Sequence, residues 1–191
     1  MSEPREVLDF WFGREGEEGY GEYRQAWFTK DAEFDREVRD RFESVHEEAA
    51  AGRLEGWKDE AQSCLALVIA LDQFPRNMFR GDPKTHATDA DAAAAARHAV
   101  EHAYDRELPS FQRLFVYMPF MHSEDLEDQR FSVELFRGLA AETGSEDLLG
   151  YAVRHMEIVE RFGRFPHRNQ ILGRETTPEE AKFLTEPGSS F

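Results

Sequence analysis

The sequence predicts an all-α protein of seven or eight helices, and three observations predict it. Apolar residues recur every three or four positions along most of the chain, and no segment alternates like a half-buried strand. The periodic stretches are bracketed by helix-starting and helix-stopping residues. The connections between them are short, so successive helices should pack as antiparallel hairpins in a bundle-like or solenoid-like stack. A chain of 191 residues, 40% apolar and 13% aromatic, suits one core. The expectation is a single domain over 1–191, with its core at about 4–185 and a tail at 186–191.

The elements follow in order. Residues 4–12 open with Pro4 and place Val7, Leu8, Trp11 and Phe12 on one face. The Gly-rich, acidic stretch GREGEEGYGE (13–22) is a loop. Phe34, Val38, Phe42 and Val45 mark a helix from Asp31 to Ala51, with Gly52 as its stop. Residues 59–73 carry the uncharged run AQSCLALVIAL and read as a buried central helix ended by Pro75. Thr88 with Asp91 resembles a capping box before an Ala-rich helix. A short helix over 110–118 is closed by Pro119. Ser123 caps a helix to about Thr143, stopped by Gly144, and Ser145 caps the next, ending at Gly163. Thr177, Pro178 and Glu180 begin a last short helix.

Charge limits the partners. The net charge is −16, and 19 Arg stand against 4 Lys. An acidic, Lys-poor surface keeps a protein soluble by self-repulsion and suits a salt-rich cytoplasm. It repels phosphate backbones, so no nucleic-acid partner is expected. The longest uncharged apolar run is far short of the ~20 residues that span a bilayer, and no membrane partner is expected. The N-terminus lacks the basic start and apolar core of a signal peptide. The single cysteine, Cys64, lies among apolar neighbours and reads as a buried, inert thiol. Together these features predict a cytoplasmic protein.

Two segments repeat a theme. LDQFPRN (71–77) and RFGRFPHRN (161–169) each join Phe-Pro to Arg and Asn. Residues 161–174 hold Arg161, Arg164, Arg168 and Arg174 with His167, and no carboxylate. Arg offers a planar fork for carboxylate or phosphate, and Asn offers both a donor and an acceptor. Arg76, Asn77, Arg164, Arg168 and Asn169 are therefore candidate ligand-binding residues. Equally, Arg at a helix end can bond orphan carbonyls or pair with a buried acid such as Asp72. A third segment, MPFMHSEDLEDQ (118–129), aligns His122, Asp125 and Gln129 at helical spacing. His122 and His167 are candidate acid/base residues, with Asp125 or Asp72 as partner and Gln129 beside the ligand. Asp125 also fits a first helical turn, where acids complement the helix dipole. His155 falls on an apolar stripe and reads as a hydrogen-bonded core residue. His46, His86, His98 and His102 read as surface residues. No cofactor motif and no metal site is expected: GxSxG, GxGxxG, P-loop and CxxC patterns are absent, and His122, Glu124, His155 and His167 lack compact ligand spacing.

These segments, with VLDFWFG (7–13), LALVIALDQFPRNMFRG (65–81), RLFVYMPFMHSEDLEDQ (113–129), RHMEIVERFGRFPHRNQILGR (154–174) and TPEEAKFL (177–184), resemble the bacterial family called domain of unknown function 924. The resemblance runs through nearly the whole chain in the same order. It implies a TPR-like helical array and implies no reaction. Two functions follow as expectations. One is a small anionic metabolite held by the Arg, His and Asn side chains, with catalysis left open. The other is a TPR-like scaffold for a protein or peptide partner.

Overall fold

The computed structural model describes residues 3–22 and 24–190. Among the described residues there are eight α-helices, five short 3-10 turns and no strand. The helices are α1 (Pro4–Phe12), α2 (Ala32–Ala50), α3 (Ala61–Met78), α4 (Asp89–Glu101), α5 (Ser110–His122), α6 (Leu126–Thr143), α7 (Glu146–Phe162) and α8 (Pro178–Phe183). The all-helical expectation holds. The helices fall into two compact units, Met1–Arg80 with Lys84–Pro119, and Gly81–Pro83 with Phe120–Phe191. No helix among the described residues is long and apolar enough to cross a membrane.

In the first unit α3 is the centre, and α1, α2 and α4 pack against it. Leu65 through Leu71 are buried without a polar face, because helices surround α3 on several sides. Aromatic rings fill the space between helices. The Trp11 ring lies 5.9 Å from Phe74 and 5.6 Å from Phe115, and Phe42 stacks on Phe74 at 4.8 Å. The last carbonyls of α1 accept from side chains: Arg24 donates to Phe10 and Trp11 at 2.8 and 2.7 Å, and Trp27 Nε1 donates to Trp11 at 2.9 Å. Cys64 is buried as expected, and burial pushes its thiol up to about 11.

Several boundaries differ from the sequence reading. Pro75 lies inside α3, which runs on to Met78. A proline there has no N–H for the carbonyl four residues back, Leu71. The Thr88 hydroxyl donates to that carbonyl at 2.6 Å instead. Thr88 is thereby committed, and it makes no side-chain cap on α4. Pro119 likewise lies within α5. Asp125, not Ser123, caps α6, accepting from the amides of Glu127 and Asp128. Ser145 makes no side-chain cap. His46 is buried rather than on the surface, its Nδ1 being 3.0 Å from the Ala70 carbonyl.

In the second unit α6 and α7 pack together, joined through Gly144, whose φ of 73° is a left-handed turn that suits glycine. Ile158, Val159 and Phe165 form a small core, closed by Leu126, Phe162 and Phe183. Thr177 and Glu180 form the expected capping box of α8.

Candidate functional site

Arg76 and Asn77 belong to the first unit. Arg76 Nη1 donates to the Asp72 carbonyl at 2.7 Å and lies 3.3 and 2.9 Å from the carboxylates of Asp72 and Asp89. Asp72 is fully buried and also accepts from Gln73 at 2.5 Å. Asn77 donates to Asp35 at 2.8 Å, beside two bonds from Arg80 to the same carboxylate at 2.5 and 2.9 Å. These side chains tie the end of α3 to the starts of α2 and α4. A groove of about 460 Å³ elsewhere in this unit, lined by Glu3, Asp9, Glu15, Tyr20, Glu60 and Gln112 among others, includes none of the predicted site residues.

The second unit holds the remaining candidates, and Phe165 organises them. The chain turns at Gly163 and buries Phe165 completely. The Arg168 guanidinium lies over its ring at 4.5 Å, and the rings of His155 and His167 each lie 5.6 Å from it. His122 is 6.5 Å from His155, ring to ring. His122, His155 and Arg168 are buried, and His167 is half-buried. Two imidazoles and a guanidinium thus gather around one aromatic ring, with the His122 imidazole beside that of His155.

A clamp holds this arrangement. Glu124 accepts from the Phe165 amide at 2.8 Å and from both terminal nitrogens of Arg174 at 2.6 and 3.0 Å. Arg174 also donates to the Phe165 carbonyl and to Asn169 Oδ1, each at 3.0 Å. Asn169, fully buried, completes the corner through Thr176 at 3.4 Å. Arg164 makes a two-pronged bond to Glu180 at 2.7 and 2.9 Å and donates to the Glu175 carbonyl at 2.8 Å. Arg164 and Asn169 therefore secure the loop that carries His167 and Arg168. Asp125 acts as the α6 cap described above. Glu124 and Arg174 were legible only as members of the charged segments, since a bidentate pair 50 residues apart leaves no spacing signal.

Gln129 lies fully buried on α6. Its Nε2 donates to the carbonyls of Met121 and Ser123 at 2.7 and 2.6 Å, on either side of His122. It finishes the C-terminus of α5 and fixes the backbone that carries that imidazole. Ser132, one turn further along α6, is also fully buried.

The electrostatics are lopsided. Burial pushes the His155 imidazole down to about 3, and the positive charge of His122, Arg168 and His167 adds to this, against the bond from its Nδ1 to the Tyr151 carbonyl at 2.8 Å. Burial works to raise Glu124, but bonds from Arg174 and the Phe165 amide, with the charges of Arg174 and Arg168, hold it below the usual carboxylate range. Glu180 is held down to about 2, chiefly by the bond from Arg164. Among the described residues, no group of three or more His, Cys, Asp or Glu side chains is placed to hold a metal ion.

An all-helical fold with a buried basic cluster on the Phe-Pro-His-Arg-Asn loop describes the class of protein. The chain belongs to the family described as bacterial protein of unknown function (DUF924), whose pattern matches residues 7–188. A solved structure of a protein of unknown function from Agrobacterium tumefaciens is similar, with 42% sequence identity and a TM-score of 0.83, covering 95% of this chain and 96% of that one. A comparison with curated proteins found no match.

Proposed function

We propose that the second unit binds a small anionic metabolite through Arg168, His167 and His122. The observation that supports this is the gathering of Arg168, His155 and His167 around Phe165, with His122 beside His155, in a chain of net charge −16. Arg168 is a fixed charge buried beside imidazoles that can donate, a combination that suits a carboxylate or phosphate. Arg168 supplies the planar fork, and the imidazoles of His122 and His167 supply further donors. The clamp from Glu124 to Arg174 holds the loop, so the anion meets a site already arranged. If the bound molecule is transformed, His122 and His167 are the groups suited to move a proton.

The test is thermal unfolding in about 1 M KCl, where exposed charge pairs are screened. Inorganic phosphate and simple mono- and dicarboxylates are added to the wild type, Arg168→Met and Arg168→Lys. A ligand at about 100 times its Kd adds about 2.7 kcal/mol, several degrees for a domain of this size. The expected result is a rise in wild type that is lost in Arg168→Met and reduced in Arg168→Lys, which keeps the charge without the fork. If no anion shifts the wild type and both variants are much less stable, the cluster is architecture and the proposal fails.

A further inference from the structure

Gln129 and Ser132 stand three residues apart on the buried side of α6, both with no exposed surface. The backbone dictates the orientation of the Gln129 amide. Its Nε2 faces the carbonyls of Met121, Ser123 and, at 3.5 Å, Phe120. All three accept and none donates. Turning the amide over would set its oxygen against these carbonyl oxygens, so the NH₂ edge must face them. Gln129 Oε1 is therefore held away from them, and it is buried with no hydrogen-bond partner. Ser132 Oγ is also buried without one.

A buried acceptor without a donor is destabilising, and native folds seldom leave two such polar side chains one turn apart on a helix. Gln129 is tied to the basic cluster through its NH₂ edge, since the carbonyls that it grips flank His122. An amide oxygen only accepts, so what satisfies it must donate. The Ser132 hydroxyl, which can donate or accept, adapts to the same group.

We propose that Gln129 Oε1, with Ser132 Oγ, receives a hydroxyl or amino group of the same small anion that the basic cluster holds. The ligand class is then a hydroxylated or aminated acid rather than a bare alkyl acid. This rests on the anion-binding reading above. The division of labour is chemical: Arg168 and the imidazoles take the negative end, and the α6 oxygens take the donor. A site built to hydrogen-bond such a group rejects an analogue that lacks it, because its own polar atoms stay unpaired.

Matched pairs separate the two claims. Binding of propionate and lactate, butyrate and 3-hydroxybutyrate, and succinate and malate is measured by titration calorimetry. In wild type, the hydroxylated member of at least one pair should bind about three- to tenfold more tightly, the worth of one net hydrogen bond. Ser132→Ala and Gln129→Met should bring that ratio toward one while the unhydroxylated member still binds. Arg168→Met should abolish binding of both members. If Gln129→Met fails to fold, Ser132→Ala decides, because its hydroxyl has no hydrogen bond to lose. Equal binding within every pair, or a preference that Ser132→Ala leaves intact, overturns the donor inference and leaves the anion site standing. Failure of wild type to bind any of the six overturns both.

Discussion

Between pH 6.5 and about 3 the unfolded chain takes up a proton at residue 155 that the folded chain does not. The state with more bound protons gains as pH falls, so here the unfolded state gains. The stability contributed by neutral His155 is complete above about 6.5 and is lost as pH falls toward about 3. The expected outcome is that the urea midpoint of wild type drops over this range more steeply than that of His155→Gln. Parallel curves for the two proteins would show that His155 protonates in the fold. The residue was legible in the sequence as a buried histidine on an apolar stripe. Its three basic neighbours were not, because the fold assembles them from two separate segments, the end of α5 and the loop after Gly163.

At the scale of elements, α3 and α4 are joined by the bond from Thr88 to Leu71. Replacing Thr88 with Val keeps its shape and leaves a buried carbonyl unsatisfied. The expected cost is about 1–3 kcal/mol in the free energy of unfolding by urea. An unchanged midpoint would show that another donor takes over. The same bond explains where sequence patterns succeeded and where they failed. Element existence and type were legible from apolar spacing, and the capping box of α8 was read correctly because all its partners are local. By local pattern Pro75 reads as a terminator, because its compensating hydroxyl lies 13 residues further on. Thr88 reads as a cap, because nothing local reveals a demand from another helix. Gln129 was placed beside the ligand by spacing. Its bonds to the α5 carbonyls are tertiary, and no periodicity encodes them.

At the scale of the whole molecule, the charge of −16 opposes compaction. Raising KCl from about 10 mM to about 1 M shortens the screening length from roughly 30 Å to roughly 3 Å. The thermal midpoint of the unliganded protein should therefore climb with salt, and Na+ and K+ should act alike. A midpoint that falls with salt would mean that attractive pairs, such as Arg164 with Glu180, outweigh the net repulsion. Thr88 also bears on how the chain is made. As the protein emerges from a ribosome, the ladder of α3 stays open at Leu71 until residue 88 has followed it out. The central helix of the first unit is thus completed from outside itself. A nascent chain halted at Arg80 would carry a bare carbonyl at the centre of its future core, with the donor not yet made.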